Sequence, residues 1–389
     1  MVLSAPLYPE MKICIPKEVY PGETRVPMVP DHVAKLVKRG AQIEIEPGMG
    51  LSSGHADAAY TAAGATVAAN RQALLSSADL LLRLRKPPVE EVSRLKPGCI
   101  HVSYLDPFNE GDLVLKLAAQ KISAISLEMV PRITRAQKID ALSSQANLAG
   151  YVAVVLGAHH CRKIFPMMMT AAGTITAARV FIIGAGVAGL QAIATARRLG
   201  AKVSAFDTRP VVEEQVRSLG AAFVKIDLGE TGQTKDGYAK ALTDEQLAKQ
   251  RAGLKKVCAE SDVVITTAQV FGRKAPIIVT QDMLDAMKAG SVVVDCAVES
   301  GGNVEGAPAN RISDRKGVTL VALANLPGQV PIHASQVFSG NLTALVEEFW
   351  DKDGKRFVLK LDDEIIKGCL ITHDGDVSHP DIKARLAKS

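Results

Sequence analysis

The feature that most limits how this chain can fold is a glycine turn between an apolar strand and an alanine-rich helix. Residues 179–209 read RVFIIGAGVAGLQAIATARRLGAKVSAFDTR, with the turn at Gly184-x-Gly186-x-x-Gly189. The glycines permit a tight turn, close approach of the backbone to a pyrophosphate and close packing of the helix. The N-terminus of that helix then faces the phosphates. This order of elements predicts a dinucleotide-binding βαβ unit.

An acidic residue follows the second strand of this unit, which is predicted at 203–206. Asp207 stands eighteen residues after Gly189, where a carboxylate accepts hydrogen bonds from the adenosine ribose 2′-hydroxyl. Because a carboxylate there disfavours a 2′-phosphate, the predicted cofactor is NAD(H). Arg209 leaves NADP(H) open as an alternative, since a guanidinium at this point could pair with that phosphate.

Composition favours an enzyme-sized protein with an aliphatic core. The chain has 389 residues, of which 47% are hydrophobic and 4% aromatic, and this suits parallel sheets covered by helices. The net charge of +5 comes without a block of lysine or arginine, so nucleic-acid binding is not expected. The six cysteines lack a CxxC pair, which predicts reduced core thiols in a cytosolic compartment and no metal site.

Neither a signal peptide nor a transmembrane helix is expected. The first ten residues lack a basic region followed by a long apolar core, and they are predicted to form a loose extension. No apolar run approaches the roughly twenty residues that cross a bilayer.

Strands alternate with helices along the chain, which predicts an α/β fold. We expect two Rossmann-like, doubly wound parallel-sheet domains separated by a cleft. Residues 1–143 with 333–389 are predicted to form a discontinuous first domain, and 144–332 the NAD(H)-binding domain. Local expectations include helices over 56–75, 144–160 and 333–350, and short C-terminal strands about a polar turn in FVLKL and GCLITHDG.

Residues 228–250 interrupt this alternation with a polar, glycine-rich insertion that contains Tyr238. The insertion follows a strand at the edge of the sheet where ligands bind, so a lid is favoured over an inert surface loop. Four more residues of the segment that starts at the glycine turn are candidate cofactor contacts: Val187, Thr208, Gly237 and Ala268.

Five segments of the sequence together resemble the alanine dehydrogenase and nicotinamide nucleotide transhydrogenase superfamily. They are the glycine turn and, in one-letter code, PKE at 16–18 with ETRV at 23–26, LSSQANLAGY at 142–151, DCAVESGG at 295–302 and NLPG at 325–328. The resemblance extends along nearly the whole chain.

The two branches of the superfamily differ at the reaction site. Alanine dehydrogenases hold the substrate carboxylate with an arginine and a lysine, and they use a histidine as acid/base and an aspartate near the nicotinamide. The matching positions here are Arg25, Arg85, Asp106 and Glu299. An aspartate moves protons poorly near neutral pH unless its pKa is much raised, so Asp106 weakens the dehydrogenase interpretation.

The segment at 132–143 favours the transhydrogenase branch. By resemblance, Arg132, Asp140 and Ser143 hold the carboxamide and ribose of NAD(H), and Gln137 reaches towards a second nucleotide on a partner protein. Arg132, Gln137 and Asp140 are therefore the candidate catalytic residues. A local surface ion pair is the structural alternative for Arg132 and Asp140. Tyr238 matches the mobile loop of that branch.

The resemblance implies the NAD(H)-binding component of a proton-translocating NAD(P) transhydrogenase. NADP(H) would bind on a partner subunit, and the proton channel would lie on membrane-spanning subunits. The component would be a homodimer on the cytoplasmic side of the bacterial inner membrane, attached peripherally through its partners. An amino acid dehydrogenase with altered acid/base chemistry and a non-catalytic NAD(H) sensor are the alternatives.

Overall fold

The computed structural model of the protein describes residues 11–229, 231–232 and 242–387. The chain divides into two compact units, Met1–Gln145 with Val330–Ser389 and Ala146–Gln329. The extension expected over 1–10 and the predicted lid residues Gly237 and Tyr238 lie outside the described residues.

The N-terminal segment of the first unit alternates strands with helices. Its elements are β1 (Lys12–Ile15), α1 (Pro30–Val37), β2 (Gln42–Ile45), α2 (Asp57–Ala62), β3 (Thr66–Val67), α3 (Arg71–Ser77), β4 (Leu80–Leu82), β5 (Ile100–Ser103), α4 (Gly111–Ala119), β6 (Ser123–Ser126) and α5 (Ala141–His160), whose later turns belong to the second unit.

The second unit continues with a hairpin and a further run of strands and helices. These are β7 (Met168–Thr170), β8 (Gly173–Ile175), β9 (Arg179–Ile183), α6 (Val187–Arg198), β10 (Lys202–Phe206), α7 (Glu213–Ser218), β11 (Ala222–Phe223), α8 (Asp244–Glu260), β12 (Val263–Thr266), α9 (Gln281–Leu284), β13 (Val292–Asp295), β14 (Arg311–Arg315) and β15 (Val318–Ala322).

The chain then returns to the first unit. The last elements are α10 (Pro331–Glu348), β16 (Trp350–Asp351), β17 (Arg356–Phe357), α11 (Glu364–Cys369), β18 (Leu370–His373), β19 (Asp376–Val377) and α12 (Pro380–Leu386).

The first unit is built on a doubly wound sheet with strand order β19-β18-β6-β5-β4-β1-β2-β3. From β1 the chain moves outward through β2 and β3, and from β4 it moves outward on the other side through β5 and β6, all in parallel. The direction of winding therefore reverses between β1 and β4, where crevices form at the carboxyl ends of strands in such sheets. Apolar side chains fill both faces of this sheet.

The second unit has a seven-stranded sheet with strand order β11-β10-β9-β12-β13-β15-β14, parallel except for the β14–β15 pair. Its central strands are buried, because helices cover both faces and exclude water from apolar runs such as 263–266 and 292–295. The predicted fold class, an α/β fold with Rossmann-like parallel sheets, is confirmed.

Two local predictions were wrong. The helix expected over 56–75 is α2, the short strand β3 and α3, because the chain turns at Gly64 with φ +94° and an added Cβ there would lie 2.8 Å from Val37 Cγ1. The C-terminal segments do not form one hairpin: β17 pairs with β16, whereas β18 joins the large sheet beside β6. Hydrophobic alternation alone does not specify which edge a short strand joins.

The expectation that no apolar segment reaches membrane-spanning length also needs correction. Among the described residues, α5 alone is long and apolar enough by length and composition to cross a bilayer. Within the second unit it packs closely: an added Cβ at Gly150 would lie 2.2 Å from the carbonyl oxygen of Ala188, and one at Gly157 would lie 2.9 Å from Val263 Cγ1. A helix packed in this way passes the same test, so α5 is weak evidence for a membrane span.

Candidate dinucleotide site

The glycine turn of the second unit has the geometry that its residue types require. Gly184 follows β9 with φ +99°, a left-handed conformation that glycine adopts without strain. An added Cβ at Gly189 would lie 1.9 Å from the carbonyl oxygen of Gly184, so the helix can approach the strand only without a side chain there. Gly186 caps the N-terminus of α6 and has open space in the direction of a Cβ. The turn thus leaves room for a ligand beside the helix N-terminus.

Asp207 lies at the carboxyl end of β10, beside this turn. Its carboxylate accepts hydrogen bonds from the backbone N–H of Ala185 at 2.8 Å and of Arg209 at 2.9 Å. The Arg209 side chain also donates to it, from Nε at 2.9 Å and from Nη2 at 2.7 Å. These hydrogen bonds to Asp207 raise the pKa of Arg209. Arg209 is therefore engaged with the acid in this structure, so a cofactor ribose hydroxyl would share or replace these contacts.

The loop after β12 forms another wall of the candidate site. Thr267 Oγ1 donates to the carbonyl oxygen of Gly184 at 3.1 Å, which ties this loop to the glycine turn. The next residue, Ala268, is held through its backbone by the side chain of Asn303. The candidates on this unit lie in the turn, in the first turn of α6 or in the segments that follow β10 and β12: Gly184, Gly186, Val187, Gly189, Asp207, Thr208, Arg209 and Ala268.

Four further candidates lie in the first unit, before or within the first turn of α5: Arg132, Gln137, Asp140 and Ser143. Asp140 accepts hydrogen bonds from the backbone N–H and the hydroxyl of Ser143, at 2.9 and 2.6 Å. This is the arrangement of a helix N-cap, which satisfies a backbone donor that α5 would otherwise leave unpaired. The side chains of Arg132 and Gln137 are exposed. The structure thus brings Asp140 and Ser143 together and leaves Arg132 and Gln137 on the surface of this unit.

A buried charge cluster in the first unit includes two of the positions that match alanine dehydrogenases. Glu23 accepts a hydrogen bond from Arg25 at 2.7 Å and from Arg85 at 2.7 Å, and its side chain is fully buried. Burial alone would raise the pKa of Glu23, but the hydrogen bonds and charges of the two arginines outweigh it and lower the pKa to about 2. Sequence reasoning found Arg25 and Arg85 and missed Glu23 as the residue that joins them.

Asp106, which the sequence resemblance matches to the dehydrogenase histidine, lies beside an amide and an ammonium group. It accepts a hydrogen bond from Asn109 Nδ2 at 2.8 Å and lies 3.5 Å from Lys86 Nζ. Its side chain is 44% exposed. Glu299 lies in the second unit, in the turn Val298–Ser300. In the part of the chain that the structure describes, no group of three His, Cys, Asp or Glu residues could hold a metal ion.

A glycine turn after a buried strand, a helix that begins at the turn and an acid at the end of the next strand define a dinucleotide-binding α/β protein. The chain belongs to the alanine dehydrogenase/PNT family, since residues 14–149 match the family described as "Alanine dehydrogenase/PNT, N-terminal domain" and residues 153–380 match "Alanine dehydrogenase/PNT, C-terminal domain". The family resemblance predicted from the sequence is thus confirmed.

Individual relatives come from both branches of the family. The chain is 44% identical over 377 residues to the protein of Rhodospirillum rubrum named as the first part of NAD(P) transhydrogenase subunit alpha, covering 95% of this chain and 98% of that one. The crystal structure of transhydrogenase from Sinorhizobium meliloti is similar with a TM-score of 0.84 and 43% identity, covering 94% of this chain and 99% of that one. Alanine dehydrogenase of Halomonas elongata is 30% identical over 376 residues, covering 95% of each chain. Similarity is therefore greater to the transhydrogenase relatives.

Proposed function

We propose that this chain is the NAD(H)-binding component of a proton-translocating NAD(P) transhydrogenase. It passes a hydride from NADH directly to NADP⁺ on a partner subunit, and the transfer is coupled to proton movement across the membrane. The observation that carries the proposal is Asp106, a half-exposed acid beside Lys86 at the position where the dehydrogenase branch has its histidine. The greater identity to transhydrogenase alpha subunits supports the same branch.

Direct transfer between two nicotinamide rings does not require a titrating side chain. The cofactor supplies the reactive bond, and the protein contributes by holding the two rings close together in a pocket from which water is excluded. The second ring belongs to NADP(H) on the partner, so the pocket is complete only in the complex. An aspartate in place of the dehydrogenase histidine is compatible with this chemistry.

Asp140, Ser143 and Arg132 are proposed to hold the carboxamide and ribose of NAD(H), and Gln137 to reach the second nucleotide. The Asp140–Ser143 hydrogen bonds support this role because they hold these two side chains next to each other. Exposure of Arg132 and Gln137 on the first unit suits side chains that meet ligands. We propose Arg132, Gln137 and Asp140 as the catalytic residues.

The glycine turn and its neighbours are proposed to hold the rest of the cofactor. Backbone N–H groups near Gly186 and Val187 face the pyrophosphate, and Asp207 accepts from the adenosine ribose, as its place at the end of β10 predicts. Thr208, Arg209 and Ala268 lie beside them. Gly237 and Tyr238 are proposed to belong to a lid over the bound nucleotide.

The assembly proposed for this chain is a homodimer joined to an NADP(H)-binding component and to membrane-spanning subunits. It would lie on the cytoplasmic side of the bacterial inner membrane and attach through those partners. The β7–β8 hairpin supports self-association, because Met168, Met169 and Ile175 are 48%, 82% and 46% exposed. Exposed apolar side chains clustered in this way commonly mark contact surfaces.

The test is hydride transfer from NADH to an NADP⁺ analogue by the purified chain, with and without a transhydrogenase NADP(H)-binding component. Transfer only when that component is present supports the proposal. Alanine with NAD⁺ is the parallel assay. NADH production from alanine by this chain alone would move it to the dehydrogenase branch.

The second candidate is an NAD-dependent, alanine dehydrogenase-like amino acid oxidoreductase. It is favoured by Arg25 and Arg85, which both bind the carboxylate of Glu23. Two arginines that lie so close together can also hold a substrate carboxylate. Their present engagement with Glu23 means that a substrate would have to compete with a buried, ionised side chain. Because of this competition, and because of Asp106, the dehydrogenase comes second.

A further inference from the structure

Asn303 lies at the centre of the loops that follow β12 and β13 in the second unit, and it is fully buried. Its Nδ2 donates to the carbonyl oxygens of Ala268 at 2.8 Å and Pro276 at 2.9 Å. Its Oδ1 accepts from the backbone N–H of Ala268 at 3.2 Å. Only this orientation of the amide matches two carbonyl oxygens and one N–H group, so its donors and acceptor are specified by the surroundings.

The backbone of Asn303 is held just as firmly. Asp295, the last residue of β13, accepts from the backbone N–H of Asn303 at 2.8 Å and of Val304 at 3.1 Å. The chain returns to Asp295 through Gly302, where φ is +82° and an added Cβ would lie 2.9 Å from Asp295 Oδ2. Asn303 is therefore fixed to the end of a central strand, not to a surface loop.

The hydrogen bonds between Asn303 and Ala268 are linked to the glycine turn through the neighbouring residue Thr267. Ala268 follows Thr267, whose hydroxyl donates to the carbonyl oxygen of Gly184. The connected chain of hydrogen bonds thus runs from Asp295 through Asn303 and the 267–268 backbone to the turn proposed to face the pyrophosphate. A side chain that holds both backbone groups of Ala268 replaces the partner that an adjacent strand would supply.

We propose that Asn303 is a positioning residue for the bound dinucleotide, which it serves by fixing the backbone of Ala268 beside the glycine turn. The inference rests on the proposed binding of NAD(H) to this unit. Asn303 itself does not touch the cofactor in this proposal. Its effect is to keep the wall of the site in place before the cofactor arrives, so that binding need not order that loop.

The test is the dissociation constant for NADH of the full chain and of Asn303→Asp, measured across pH by the fluorescence of NADH. The substitution keeps an acceptor for Ala268 N–H but turns an ionised oxygen towards two carbonyl oxygens at neutral and higher pH. Protonation at lower pH restores one donor, so we expect binding weakened on the order of tenfold at pH 8 and recovering towards wild type as the pH falls. Asp295, which holds the backbone of Asn303, Lys274, which lies beside Gly301, and Glu305, two residues after Asn303, are present in both proteins. The difference between the two proteins therefore isolates the substituted group.

Val318→Ala is the control, because it removes buried side-chain volume from the same unit at a residue that takes no part in the hydrogen bonds of Asn303. If Asn303→Asp binds NADH like wild type, or like Val318→Ala at every pH, the positioning role is wrong. If wild type itself does not bind NADH, the proposed function fails and this inference fails with it. The two failures are therefore distinguishable.

A measurement on the unaltered protein covers the case in which Asn303→Asp does not fold. We expect the backbone amide of Ala268 to be protected from hydrogen exchange without NADH, since Asn303 Oδ1 accepts from it. Fast exchange of this amide without NADH, followed by protection when NADH is added, would mean that the cofactor and not Asn303 orders the loop. That result would overturn the proposal.

Discussion

At the scale of single residues, the chemistry of the candidate site depends on which charges are already paired. Asp207 is bound by Arg209 through two side-chain hydrogen bonds, and Glu23 is bound by Arg25 and Arg85. Removing one member of a partly buried ion pair costs free energy, because the other charge is left without a partner. We therefore expect Asp207 to affect the choice of cofactor and Glu23 to affect stability.

Asp207→Asn tests the cofactor preference. Loss of the carboxylate acceptor is expected to weaken NADH binding by about ten- to a hundredfold. Because Arg209 is then released from Asp207, the preference for NADH over NADPH is expected to become smaller. Dissociation constants for both nucleotides, measured by fluorescence, check this. Asp285→Asn is the matched control, because Asp285 pairs with Arg315 and Lys316 elsewhere in the same unit, and its affinities should match wild type. Unchanged affinities in Asp207→Asn would remove Asp207 from the site.

Gln137→Asn tests the proposed reach towards the second nucleotide. Shortening the side chain by one methylene is expected to lower the rate of hydride transfer to the partner on the order of tenfold while NADH affinity stays near wild type, because positioning affects transfer and not binding of the first cofactor. Gln72→Asn, at another exposed position of the same unit, is the control. Equal transfer rates in the two variants would contradict the role given to Gln137.

Glu23 gives stability that depends on pH. Its pKa is lowered to about 2 in the folded protein, so the unfolded chain binds the proton more readily, and the stabilisation is present above about pH 4.5 and lost as the pH falls towards 2. This contribution to the free energy of unfolding is about 3 kcal/mol. Urea unfolding of wild type and Glu23→Gln across this range checks it. The variant should be less stable at neutral pH, and the difference should shrink on acidification. A difference that stays constant with pH would rule out this account.

At the scale of elements, the site is assembled by close contacts between helices and strands. The N-terminal end of α6 can lie beside α5 because Gly150 has no side chain, and it can lie against the end of β9 because Gly189 has none. Both contacts are between backbone atoms, which have little freedom to move aside. The placement of the glycine turn thus depends on small residues in two different helices.

Gly150→Ala is expected to destabilise the protein by about 1–3 kcal/mol, because the new Cβ would lie 2.2 Å from the carbonyl oxygen of Ala188. Since Ala188 lies in the first turn of α6, NADH affinity should fall as well. Gly340→Ala in α10 is the matched control: its Cβ would lie 3.5 Å from His32 Cε1, and alanine should be neutral or stabilising there by up to about 1 kcal/mol. Thermal unfolding and NADH titration measure both. Equal behaviour of the two variants would show that α5 does not constrain α6 here.

At the scale of the whole molecule, the proposed function depends on contacts with other chains. The proposed reaction needs a second nucleotide on a partner, and the β7–β8 hairpin presents apolar side chains to solvent. Exposed apolar area of this kind is stabilised by burial against another surface. We therefore expect the proposed activity to require assembly with other chains.

Met169→Asp tests self-association. Met169 is 82% exposed, so the substitution should leave the fold intact and, by placing a charge in the proposed contact, shift sedimentation towards the monomer. Leu115→Asp in α4, at a side chain 52% exposed, should sediment like wild type. A monomeric wild-type protein, or a dimer unaffected by Met169→Asp, would mean that the hairpin is not the contact surface.

The local patterns of the sequence determined the alternation of strands and helices, the glycine turn and the acid that follows β10. These features depend on neighbours within about thirty residues, so spacing and side-chain type were enough to predict them. The family resemblance depends on the same segments.

Only the tertiary structure decided which distant groups meet. Glu23 meets Arg85, Asn303 holds Ala268, and β18 joins β6, in each case across long stretches of chain. The sequence around one member of each pair does not indicate its partner, because burial and hydrogen bonding select partners only after the sheets have formed. For the same reason the helix predicted over 56–75 is broken in the fold, where Gly64 turns the chain against Val37.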